Sequence, residues 1–246
     1  MKQTMIATTL LTALIAAGCA SVSDPFRIPL DEFRRRVKTI AVANVAIASE
    51  LGEGAPAKFN PAIEAKIQQA GFTVVPAQQV REIWDAKVSE LGGLFDPQTG
   101  QLSEAKMTAL MNHVRGEMKT RFNADALLLS QIRTVKANFS YAPIVGVRAK
   151  WDGATESMET GSFDKIVSPR VNGSVAALSL VIRIQDLNGS ALYVNAGGVQ
   201  VLQRLGTAAG QFGGETFVPV PKSELFADTE RIQQAVNYSL EPFFKR

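Results

Sequence analysis

One cysteine, Cys19, and one histidine, His113, set the terms on which this chain folds. Without a second cysteine there is no disulfide framework, and these two residues cannot furnish a Cys/His zinc site. Apolar packing must hold the fold, and the composition supplies it, with 46% of the 246 residues hydrophobic and 20% charged. That balance is globular rather than disordered. The length suits one large domain or two small ones. The same two counts exclude a hydrolase built on a cysteine nucleophile and a histidine base. A formal net charge of +3 does not point to nucleic acid.

The amino end reads as an address. Lys2 gives a positive start, and Met5 to Ala17 is uncharged and mostly apolar. Such a run is too short for an ordinary membrane span, which takes ~20 apolar residues, and suits a signal-peptide core. Ala16-Ala17-Gly18-Cys19 then resembles the bacterial lipobox. That resemblance implies cleavage after Gly18 and diacylglycerol on the Cys19 sulfur, which leaves no free thiol for catalysis. Ala20 and Ser21 follow instead of an aspartate at the second position, which resembles outer-membrane sorting. One acyl chain anchors only marginally, whereas the triacylated cysteine implied by the lipobox holds firmly.

Three segments follow from this: a signal peptide over 1–18, a lipidated cysteine and tether over 19–33, and one α/β body over 34–246. Pro25 and Pro29 and the lack of a period give the tether. The run Arg34-Arg35-Arg36-Val37-Lys38 suits either anionic headgroups or simple solvation. Thr39 to Ile47 reads as a strand covered on both faces. Asn60-Pro61 reads as a helix start and Gly71 as its stop. Phe72 to Pro76 is a strand, Gln78 to Leu91 a helix with Trp84 packed, and Ser103 to Phe122 a helix with a core stripe from Met107 to Met118. Ala126 to Thr134 begins a strand that extends toward Phe139. Val175 to Gln185 and Leu192 to Leu205 pair across the Asp186-Leu187-Asn188-Gly189 turn, with a bulge at Gly197-Gly198. A helix from about Asp228 closes the chain. The order β-α-β-α-α-β-β-β-α predicts one mixed sheet with helices packed on it.

These pieces, namely Lys38 to Ile47, Ile63 to Trp84, Asn123 to Ile132 and Leu180 to Gly198, resemble a family of bacterial envelope lipoproteins. The family includes the curli-secretion channel protein, lipoprotein activators of penicillin-binding proteins, and the N-terminal domain of the Tol-system propeller protein. The resemblance implies an anticodon-binding-domain-like α/β sandwich. It does not fix a task, because proteins of one fold do different jobs.

Chemistry is scarce in the sequence. His113 sits beside, not in, the methionine stripe of its helix. Asp152, Glu156, Glu159 and Asp164 share a stretch without calcium-loop spacing and read as a solvated acidic loop. Asp96 to Gly100 reads as a turn. Gly206 to Gly214 lacks the Lys-Ser/Thr pair of a phosphate loop and reads as a surface loop. No catalytic residue, metal or cofactor is expected. Tyr141, Trp151 and Phe163, in a polar stretch from Asn138 to Ser174, are the expected contacts for a protein partner. The expectation is a lipid-anchored, non-enzymatic protein facing the periplasm from the outer membrane. It binds an envelope partner, scaffolding assembly or export, and oligomerisation is left open. A ring-forming secretion channel and a periplasmic small-ligand receptor are the competing classes. Against the channel, the Asn138 to Ser174 stretch lacks the outward apolar band of a membrane strand pair.

Overall fold

The computed structural model describes residues 24–48, 51, 54–142, 146–158, 172–207 and 215–245. Strand β1 (Thr39–Val42) lies between β2 (Thr73–Val75) and β3 (Ala126–Ala142), parallel to both. β3 also pairs antiparallel with β6 (Asn172–Asp186), and β6 with β7 (Ala191–Val201). Beyond β1, the free side of β3 takes up β4 (Gly146–Trp151), which pairs with β5 (Ala154–Ser157). The result is one seven-stranded mixed sheet, as the pattern predicts. A separate ribbon of β8 (Gln203–Thr207) and β9 (Glu215–Pro219) adds two strands, because the expected single strand to Leu205 bends at Leu202.

Five α-helices among the described residues flank the sheet. α1 (Leu30–Arg36), α2 (Ala55–Gln69) and α5 (Thr229–Leu240) cover one face, meeting Ile40, Val42, Leu128, Leu180 and Ile182. α3 (Ala77–Glu90) and α4 (Glu104–Phe122) cover Ala41, Ala43 and Leu127 on the other. Alternation along β1 thus feeds both layers at once, which is why its run is apolar without a polar face. Leu110, Val114 and Met118 are buried in the second layer, so the methionine stripe is core. α4 ends on Asn123 in the left-handed conformation, φ 48°. Two residues on, Asp125 Oδ2 accepts from the backbone N–H of Lys38 (2.8 Å) and Thr39 (3.0 Å). The Asn-Ala-Asp run therefore turns the chain and pins β3 beside β1.

Three expectations are corrected. α2 starts at Ala55, not at Asn60-Pro61. Pro56 already serves its first turn, and Pro61 forfeits only a bond to exposed Ala57, whose carbonyl can turn to water. Asn60 instead ties the helix to the exit of β1, accepting from Val45 N–H (3.2 Å) and donating to Asn44 (2.7 Å). The tether is also shorter than 19–33. Pro25 and Arg27 bond to the free edge of β7 through Val194 N–H and Leu192 carbonyl, each at 2.9 Å. Phe26 stacks edge-on against Tyr193 and Phe243, both at 4.9 Å, and Phe33 against Phe243 at 5.2 Å. Apolar residues at Phe26, Ile28, Leu30 and Phe33 make this segment part of the body. Lastly, the Asn138 to Ser174 stretch is not a loop where it is described. It holds the ends of β3 and β6 together with β4 and β5.

Those strands curl until β5 meets β7 around a third apolar cluster of Ala137, Phe139, Val147, Ala149, Met158, Val175 and Val201. Gly198 N–H donates to the Asp152 carbonyl at 2.8 Å across the closure. Gly198 is required there, because a Cβ would stand 2.7 Å from Trp151 Nε1. Its neighbour Gly197 faces the opposite way, where a Cβ would run into the Ala235 carbonyl of α5. The expected bulge lies beside this pair, between Gly198 and Gln200.

Candidate functional site

Cys19, Gly18, Phe163, Glu159 and Asp164 lie outside the described residues, as does 208–214 of the expected surface loop. Trp151 does not serve as an exposed contact: it is 8% exposed, and its Nε1–H donates to the Leu178 carbonyl at 3.0 Å. Its parity explains this, since Val147, Ala149 and Trp151 all point inward along β4. Tyr141 is half-buried against the same cluster. The two described members of the aromatic set thus serve packing.

Of the acidic residues expected to be solvated, Asp152 is exposed and Glu156 is not. Glu156 is 6% exposed. Its carboxylate accepts from Val201 N–H at 2.8 Å and pairs with Arg231 of α5 and, at 3.7 Å, with Arg204 of β8. Asp152, at φ 37° in the Asp152-Gly153 turn, accepts from the Ser179 hydroxyl at 2.6 Å. The carboxylate that joins β5 to β7 is therefore consumed by structure. The adjoining cleft, lined by Thr155, Glu156, Arg231 and Gln234, measures about 110 Å³, well below the size of a ligand pocket. No group of three His, Cys, Asp or Glu among the described residues can hold a metal ion. His113 is half-buried on α4. Asp96 closes its turn as expected, and the backbone N–H groups of Thr99 and Gln98 hold its carboxyl below the usual range.

A larger space, about 1070 Å³, opens on the helix-poor part of the sheet. α3 and α4 cover β2, β1 and the near side of β3, but not β6 or β7. Leu129, Gln131 and Arg133 of β3, with Val181 and Arg183 of β6, form the floor by strand alternation. Val80, Arg81, Trp84 and Asp85 of α3, with Met111 of α4, form one wall. The exit of β1, from Ala43 to Ala46, closes one end. Arg81 pairs with Asp85 at 3.2 Å, and Arg133 donates to Gln131 at 2.8 Å. Arg183 is exposed and has no ion-pair partner among the described residues. The trough is amphipathic, carries excess positive charge, and offers an indole and a methionine beside it. Such a surface is suited to grip an extended acidic chain with apolar side groups. The sequence carries its signal in the polar phase of two buried strands, Gln131 and Arg133 alongside Arg183, which was legible only as alternation.

No protein-family model matches the chain, and no curated protein does. Among solved structures, a PelC dodecamer from Paraburkholderia phytofirmans is similar at 11% identity and TM-score 0.36, over 86% of this chain and 91% of that one. The C-terminal domain of LpoB from Salmonella enterica is similar at 12% identity and TM-score 0.31, over 70% and 92%.

Proposed function

We propose that this chain is a lipid-anchored protein of the outer membrane, facing the periplasm, that catalyses no reaction and binds an envelope protein. The observation that carries the reading is the open trough beside α3. It is a large amphipathic surface with an arginine that has no ion-pair partner among the described residues, whereas the buried carboxylate Glu156 is engaged in closing the fold elsewhere. The lipobox-like Ala16-Ala17-Gly18-Cys19 supports the location. Residues Tyr141 and Trp151 are replaced in this reading by Arg133, Arg183 and Trp84 as the partner contacts, and Phe163 stays a candidate contact.

Affinity capture from native membranes tests the reading. Wild-type protein is expected to retain a partner that R133E/R183E loses by about tenfold or more, as like charge replaces complementary charge. Both side chains are exposed, so folding survives the change. Undiminished capture overturns the trough as the contact. Converting Cys19 to Ala is expected to remove the lipid mass from the mature protein. Recovery of an unmodified first residue from wild-type envelopes overturns the anchor.

A further inference from the structure

We infer that the surface formed by α1 and the carboxy-terminal turn lies flat on an anionic phospholipid layer, so that the anchor holds the body in one orientation. The inference rests on the anchored reading above and adds what the body itself does at the membrane. From Cys19 to Asp24 the chain reaches no more than about 18 Å even when fully extended. Pro25 and Arg27 are fixed on the edge of β7, and Phe26 packs onto Phe33 and Phe243. The anchor therefore enters beside α1 and the 3-10 turn Glu241–Phe243.

That side of the molecule is basic. α1 ends on Arg34, Arg35 and Arg36, and Lys38 follows. Arg34 donates to the Phe243 carbonyl at 2.7 Å, which ties the helix to the carboxy-terminal turn. Lys66 of α2 sits 4.3 Å from the centre of the Phe244 ring, and Lys245 follows that ring. Phe244 is 42% exposed, an aromatic edge among cations. The acids nearby are fewer: Glu32 is paired with Arg36 and Glu241 with Lys245, which leaves Asp24, Asp31 and Asp125 against Arg27, Arg34, Arg35, Lys38 and Lys66. Cations around an aromatic ring, within a few residues of a lipid attachment, match a headgroup layer in charge and in depth.

The full-length lipidated protein, reconstituted into phosphatidylethanolamine vesicles with or without phosphatidylglycerol, tests this. A photoreactive phenylalanine analogue at Phe244, or in a second variant at Arg35, is compared with the same group at Asn172. Asn172 stands at the far end of β6, about 45 Å along the strand from Asp186. Lipid labelling from 244 and 35 is expected to exceed that from 172 at least fivefold with phosphatidylglycerol. It should fall severalfold without that lipid, at high salt, or in R35E/R36E. Equal labelling at all positions, indifference to anionic lipid, or adducts with a second copy or another protein in place of lipid overturn the inference. If Cys19 proves unmodified while labelling at 244 still depends on phosphatidylglycerol, the anchor fails and the surface stands.

Discussion

Leu128 and Ala137 lie on the same strand, both with no exposed surface, yet different neighbours bury them. Around Leu128 the sheet is sandwiched, with α2 and α5 on one face and α3 and α4 on the other. Around Ala137 no helix among the described residues covers either face; strands curl over a small cluster, and Glu156 joins the seam. The near half is thus held by area removed from water, at about 25 cal/mol per Å². The far half depends on a few close approaches and one engaged carboxylate. Loss of area weakens the whole domain, whereas loss of a seam should open one end.

The sharpest test of that contrast is Leu128→Ala. A leucine fully buried under the α2 and α5 layer should cost about 3–4 kcal/mol, because the packed surroundings cannot collapse into the cavity. Denaturant unfolding should remain a single transition at a lower midpoint, and amide exchange should quicken in both halves. Exchange that quickens only around β1 would break the view that the near half carries the domain.

Glu156→Gln comes next. The amide retains an acceptor for Val201 N–H but loses both ion pairs, leaving Arg231 and Arg204 facing each other across the seam. Those arginines are a third and a quarter exposed, so water offsets part of the loss, and about 2 kcal/mol is expected. Exchange should quicken at Gly198 and Val201, with β1 unchanged. Equal acceleration at Ile40 and Val42 would mean that the two halves do not separate.

The near half was legible because its signals are local and periodic. The helix stop at Gly71, the helix beginning at Ser103 and the apolar stripes of α3 and α4 all lie where the pattern puts them. The far half was not, although two local signals were there. Asp152-Gly153 is a two-residue hairpin turn with positive φ at both positions, 37° and 74°, flanked by alternating residues. The inward phase of β5 places Glu156 with Met158 in the interior. What alternation cannot carry is the partner: Arg231 is distant in sequence and meets Glu156 only because α5 crosses β7 at Gly197. The trough was hidden for a related reason. Arg133 and Arg183 stand in the polar phase of their strands, and only the extent of α3 and α4 shows that this face is a walled space.

Tyr193 gives the comparison a chemical handle within the near half. Its hydroxyl donates to the Ser239 carbonyl at 2.5 Å, and burial, helped by Glu241, pushes the phenol above its ordinary 10 against an opposing bond from Asn195. The unfolded phenol ionises near 10 while the folded one stays protonated. The contribution is therefore complete below about pH 10 and is lost as pH rises beyond it. Tyr193→Phe should cost about 1–1.5 kcal/mol at neutral pH and flatten the alkaline fall. Stability curves for wild type and variant that run parallel from pH 8 to 11 would contradict the buried, protonated phenol.

Asp228 links the halves and should show the smallest effect. Its Oδ1 caps α5 by accepting from Glu230 N–H (2.9 Å) and Arg231 N–H (3.2 Å), while Oδ2 meets Arg231 Nε at 3.2 Å. The cap serves the near half, and the steadied Arg231 serves the Glu156 seam. Asp228→Asn keeps the cap and removes the charge; Asp228→Ala removes both. A lost cap costs about 1 kcal/mol, and an exposed ion pair a few tenths. Asp228→Ala should therefore loosen the amides of the first turn of α5, while Asp228→Asn should act on Val201 alone, through Arg231. If both variants change the helix equally and leave Val201 untouched, Arg231 reaches Glu156 without help, and the seam is a property of β5 and β7 by themselves.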